Sequence, residues 1–189
     1  MIYRHMYVGY KKSGKIQFKE NDKVITSSAA NFKDMTFVYF ESKDKDVDIY
    51  DVCEGDMKPF PDGREWFEMP KIFHYYDPEK DEDWERKEPN KKPYYRVNKL
   101  KMDKVASYIY YHVDHQNTNQ WNCDKFFSIF IYGDLIVLYA EEPTERITWD
   151  DLKGKLHVPG LSNWSDLMYQ HFAEWPEGKK AALLLELEE

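Results

Sequence analysis

"FFSIFIYGDLIVLYAEE", Phe126 to Glu142, is two apolar runs of strand length on either side of Gly133-Asp134. That pattern predicts a β-hairpin, because tight hairpin loops need backbone conformations that glycine adopts freely. Working outward, "YYRVNKL" upstream reads as a strand, and "KMDKVASYIYYHVDHQ" as a helix with Asp103 near its start, where an acid suits the dipole. Downstream, "SNWSDLMYQHFAEW" predicts a second helix, capped by Ser162 or Asn163 and stopped by Pro176-Glu177-Gly178. "KKAALLLELEE" has the composition of a helix, but its place after the stop and the need to complete the sheet assign it to a strand. The order is β-α-β-β-α-β, the ferredoxin-like arrangement, spanning residues 94–189.

Two helices cover one face of such a sheet, and the other face needs a partner. The first 77 residues can supply it, as can a second chain. There "IYRHMYVGY" and "MTFVYFES" have strand composition, and "KKSGK" between them reads as a turn. "VDIYDVCEGDMKPFPDGREW" reads as loop, with Pro59, Pro61 and Gly63 as breakers, and Pro70 confines the strand in "EWFEMPKIFHYYD" to an edge or a late start. Residues 78–93 are charged and proline-rich, the composition of a linker. The expected fold class is α+β, a ferredoxin-like C-terminal unit (94–189) packed on a β-rich N-terminal unit (1–77).

With 42% hydrophobic and 17% aromatic residues, 189 residues can bury a sizeable core. A formal charge of −8 opposes capture by nucleic acid or an acidic membrane surface. No apolar run approaches membrane-spanning length, and "MIYRHMYVGY" does not read as a secretory signal. Cys53 and Cys123 lie far apart without CxxC spacing, which fits free thiols in a reducing cytoplasm.

"YIYYHVDHQ", Tyr108 to Gln116, concentrates titratable rings on the first helix. At about 100° per residue, Tyr108, His112 and His115 fall within roughly 60° of one another. Met102, Val105, Ile109 and Val113 form an apolar stripe beside them, which places the histidines at the border of the buried face. Three readings stay open: rings packed at the core margin, a metal pair for which no third ligand is spaced, or an acid–base site using a neutral imidazole.

The 94–189 region also resembles the L-rhamnose mutarotase family, small ferredoxin-like proteins that pair as dimeric α/β barrels. The similarity rests on the Tyr-x-x-x-His element "YIYYH", on the hairpin quoted above and on "NWSDLM" in the second helix. "PFPDGREWFEMPKIF", Pro59 to Phe73, is similar to a segment some relatives carry at their end, and its early position implies a duplicated or rearranged chain with an incomplete first unit packing on a complete second one. The family's tryptophan four residues after the histidine is Gln116 here, and its paired tryptophans are reduced to Trp164-Ser165. The resemblance implies exchange of sugar anomers without a cofactor, with His112 as acid–base group, Tyr108 as its partner, and self-association as a homodimer. His115, Trp164, Trp175 and Trp66 would then contact the sugar.

A different class of function competes with it. An acidic, aromatic-rich protein can be an inhibitor or immunity-type binder of a basic protein, with "KDKDVDIYD" (Lys43–Asp51) and "DPEKDEDWE" (Asp77–Glu85) as acidic edges. The two readings differ in geometry. Catalysis requires Tyr108 and His112 to line an aromatic hollow, whereas partner binding predicts a packed His112 and an exposed acidic–aromatic patch.

Overall fold

The computed structural model describes residues 1–74, 92–118, 127–141, 164–176, 178 and 183–188. The fold is α+β and strand-rich, with two antiparallel sheets and few helices among the described residues. It divides into two compact units. Met1–Pro70 and the segment from Leu185 onward form the first, and the second begins at Lys71 and runs to Leu184.

In the first unit the strands are β1 (Tyr3–Phe18), β2 (Val24–Phe32), β3 (Met35–Ser42), β4 (Cys53–Lys58) and β5 (Phe67–Glu68), with a single helical turn, α1 (Ile49–Val52), before β4. The order across the sheet is β2-β3-β1-β4, with β5 also on β1. The expected turn at "KKSGK" is instead the second half of β1. The strand continues because its register shifts on either side of Ser13 and Gly14 takes a positive φ of 76°, so it bends without stopping. Strand β4 likewise replaces the expected loop, with Cys53 and Met57 buried and the residues between them at least partly exposed. Ile49 and Val52 of α1 join Tyr7, Val38, Phe40, Cys53, Met57 and Trp66 in one core. Trp66 fits there because Gly9 has no side chain: a Cβ at that position would lie 2.9 Å from the indole and 3.0 Å from the Glu65 carbonyl.

The second unit contains β6 (Lys71–His74), β7 (Pro93–Lys99), a 3-10 turn (Met102–Lys104), α2 (Val105–Thr118), β8 (Phe127–Tyr132), β9 (Leu135–Glu141), α3 (Trp164–Tyr169) and β10 (Leu183–Leu184). Its sheet order is β10-β7-β9-β8-β6. The hairpin and the first helix fall where the sequence puts them, whereas of the expected terminal strand only Leu183–Leu184 joins this sheet, beside β7. The division between units falls at Pro70, so β6 pairs with β8 in the second sheet and not with the N-terminal strands. After Leu185 the chain returns to the first sheet, where β11 (Glu186–Leu187) pairs with β2. Glu188 fastens that return through Lys11 Nζ at 2.6 Å and the Asn31 amide. The expected linker largely coincides with residues outside the described set, as do the caps Ser162 and Asn163.

The two units repeat one plan. Both have the order second-third-first-fourth strand, β2-β3-β1-β4 and β8-β9-β7-β10. Ser28 pairs with Tyr39 and Phe32 with Met35; Ser128 pairs with Tyr139 and Tyr132 with Leu135 in the same register. Each hairpin turns on a residue with positive φ, Lys33 at 58° and Gly133 at 60°. Each turn carbonyl, Asp34 and Asp134, accepts a backbone bond from the neighbouring first strand of its unit, from Lys11 midway along β1 and from Leu100 just past β7. Tyr39 donates to Glu41 at 2.5 Å and Tyr139 to Glu141 at 2.6 Å, all four residues buried. The first copy lacks a counterpart of α2, since only residues 19–23 separate β1 from β2.

Candidate functional site

Helix α2 turns a different face inward from the one its aliphatic residues predict. Met102 and Val113, assigned to the apolar stripe, are 74% and 45% exposed, while Tyr108 and His112 are buried. The reason lies in the stacking partners available to the rings. The Tyr108 ring lies 4.1 Å from that of His112 and 5.9 Å from those of both His171 and Phe172, and Phe73 meets His112 edge-on at 6.0 Å. Four aromatic contacts inside the core outweigh the transfer energy of one valine left half in water.

Each histidine of this cluster is anchored to its own chain. His112 Nδ1 donates to the Tyr108 carbonyl at 2.9 Å, and His171 Nδ1 donates to the Leu167 carbonyl at 2.7 Å. A carbonyl only accepts, so both rings carry a proton on Nδ1, and in the neutral form Nε2 is an acceptor. For His171 that acceptor faces the Ser107 hydroxyl at 2.9 Å, and the same hydroxyl lies 3.1 Å from the Lys104 carbonyl. A neutral ring takes the hydroxyl proton; a protonated ring would donate to the serine and turn that proton to Lys104.

Burial, assisted by the nearby Lys104 and Lys101 ammonium groups, pulls the His171 pKa below its ordinary value. The unfolded chain therefore binds this proton more readily than the folded one. The contribution to stability is complete above pH 6.5 and is lost as pH falls through and below that value. Wild type should lose more of its melting temperature between pH 7.5 and 5.5 than His171→Gln does. Parallel melting curves for the two proteins over that range would contradict the assignment.

Beneath the helix, burial lowers the Arg96 pKa, and its Nε has no hydrogen-bond partner among the described residues. Burial also raises the Tyr108 hydroxyl pKa well above the usual range, while Arg96 opposes that rise. A tyrosine so placed is a neutral donor and not a proton shuttle at neutral pH. Sequence reading singles out Tyr108 and His112 and misses Arg96, Ser107 and His171. The spacing of His171 from Leu167, four residues, is the same as that of His112 from Tyr108 and is the signal that connects them.

Trp66 belongs to the core of the first unit, and Trp175 of the second is 4% exposed. Trp164 opens α3 and His115 lies in α2, and the side chains of both are outside the described residues. Among the described residues no three His, Cys, Asp or Glu side chains converge as a metal group, and no helix is long and apolar enough to cross a membrane.

Polar chemistry turned outward is found instead on the first unit, around α1. Asp48 accepts from the Tyr50 amide at 3.1 Å, and Asp51 accepts from the Asp48 amide at 3.0 Å, a reciprocal cap that fixes the turn. Ile49 and Val52 point inward, and Tyr50 is left 51% exposed with the Glu65 and Asp48 carboxylates near its hydroxyl. Phe18, 41% exposed, pairs with Cys53 at the end of that turn. Lys19 holds the two together, donating to the Tyr50 carbonyl at 2.8 Å and pairing with Glu54 at 2.9 Å. Beneath the patch, burial pushes the Cys53 thiol up to about 12. Folded protein at pH 8 should therefore leave Cys53 unmodified by iodoacetamide for hours, and prompt alkylation at this position, read by peptide mass, would contradict its burial. No family model, no curated protein and no solved structure matches the chain.

Proposed function

We propose that the protein is a non-catalytic, acidic binding protein that acts on a basic protein partner. The observation that carries this reading is the division of its rings: Tyr108 and His112 are packed in the core, and Tyr50 stands outward among carboxylates. Binding through such a surface needs no proton transfer. It needs long-range attraction, which a charge of −8 provides, and rigid aromatic anchors at low entropic cost. The free, buried Cys53 thiol supports a reducing, cytoplasmic setting. Selection of a random peptide library against the full chain should enrich sequences rich in Arg and Lys whose binding weakens steeply between 50 and 300 mM salt. Enrichment of neutral or acidic sequences overturns the reading.

A second reading, exchange of sugar anomers, is favoured by one observation. The order β10-β7-β9-β8 with antiparallel neighbours is that of a ferredoxin-like sheet, to which β6 adds an edge strand, and this supports the fold implied by the mutarotase resemblance. On that reading the His112 ring takes the proton of the anomeric hydroxyl while a proton is delivered to the sugar's ring oxygen, and the reverse transfers close the ring on the other face. The burial of His112 and Tyr108 favours the first reading over it.

A further inference from the structure

We infer that the partner's basic surface docks on the α1 end of the first unit, with Tyr50 and Phe18 as its two anchors. This rests on the binding reading above and assigns it a place. Around these rings the segments Lys19–Lys23 and Lys43–Glu54 bring seven carboxylates (Glu20, Asp22, Asp44, Asp46, Asp48, Asp51, Glu54) against four lysines. All of these carboxylates except Asp44, which is half-buried, belong to exposed residues.

Two of the lysines are already engaged, Lys19 with Glu54 and Lys23 with Asp44 at 2.8 Å. Lys23 holds the Asp44 carboxyl below its ordinary pKa, so the pair stays ionised near neutrality. Five carboxylates, Glu20, Asp22, Asp46, Asp48 and Asp51, then stand against the two remaining lysines, Lys43 and Lys45, and the two segments stay net negative.

The chemistry of the occupant follows from this arrangement. A guanidinium stacks on the face of Tyr50 or Phe18 while donating to a flanking carboxylate, a combination that a lysine ammonium fits less well. The patch is also held in place before binding. The reciprocal Asp48–Asp51 cap, Lys19 bridging Tyr50 and Glu54, and the Asn21 amide on the Asp51 carbonyl at 3.3 Å fix the turn from three sides. A surface ordered in advance loses little conformational entropy on docking. The expected partner is thus an arginine-rich protein surface or segment, and not an anionic ligand, a nucleic acid or a lipid.

The test is a titration of the ¹⁵N-labelled full chain with two synthetic octapeptides at low salt. One is Arg-Arg-Trp-Arg-Arg-Trp-Arg-Arg and the other has glutamate in place of each arginine. The arginine peptide should shift the amides of 18–20 and 48–54 first and most, and the glutamate peptide should shift none of them. The double variant Phe18→Ser/Tyr50→Ser should bind the arginine peptide at least tenfold more weakly, with its remaining amide spectrum unchanged. Arginine-peptide shifts centred elsewhere, with the double variant binding as wild type, overturn this site and leave the acidic-binding reading standing. No shift anywhere with the arginine peptide overturns both. A Tyr50→Phe variant that binds as wild type confirms that the ring face, and not the hydroxyl, is the anchor.

Discussion

Replacing Tyr108 by alanine should lower the unfolding free energy by about 3–5 kcal/mol, the range for emptying a large buried aromatic site. The ring contacts His112, His171 and Phe172, so its removal leaves a hollow walled by side chains anchored elsewhere. His112 and His171 are each tied to a backbone carbonyl and cannot swing in to fill it. Urea denaturation followed by tryptophan fluorescence measures the effect, and Tyr108→Phe should cost at most about 1–2 kcal/mol, the scale of a lost hydrogen bond. A Tyr108→Ala protein as stable as wild type would mean that the pair lies in an adaptable, open site and not in the core.

The second large effect is expected at Glu41. Its carboxylate is fully buried, accepts from the Tyr39 hydroxyl at 2.5 Å and lies 3.3 Å from Arg4 Nε on the neighbouring strand. Glu41→Ala takes the acceptor from Tyr39 and the counter-charge from Arg4, and breaking a buried pair from one side costs on the order of 3–5 kcal/mol. Glu41→Gln keeps an acceptor for the tyrosine and should recover part of the loss. The repeat sharpens this prediction. If the Tyr-x-Glu pair is a building element of each copy, Glu141→Ala should cost a comparable amount, measured in the same denaturation series. A cost below about 1 kcal/mol at both positions would remove the pairs from the account of stability.

How far the sequence reveals this molecule depends on whether a segment's pattern and its environment agree. The hairpin from Phe127 to Glu141 is legible because two apolar runs and a Gly-Asp turn all point to the same structure. Its counterpart from Val24 to Ser42 is half hidden. β2 reads "VITSSAANF", too polar for a strand signal, and the turn residue is Lys33, which seldom takes a positive φ. The repeated plan is therefore only hinted at in the sequence, although strand order, registers and turn bonds display it in the structure. The bend in β1 reads as a stop in the sequence because a Gly-containing polar run resembles a turn wherever it occurs. On α2 the error was one of weighting. Hydropathy ranks Val113 and Met102 above Tyr108 and His112, but stacking partners from β6 and from the segment after α3 reverse the order. His171 was unrecognised because its role depends on Ser107, sixty-four residues away in the chain. The acidic run Lys43–Asp51 was legible as an edge, but the outward Tyr50 needed the inward pull of Ile49 and Val52 to be seen.

The Tyr108–His112 pair is packed in the core, and on the binding reading the working surface faces outward. Anomer exchange of L-rhamnose and L-fucose, followed by saturation-transfer NMR with and without the full-length protein, tests it most directly. One exchange rate, that of buffer alone, is expected at every protein concentration. A rate that rises with protein and returns to the buffer value in His112→Gln, with that variant still folded, would contradict it.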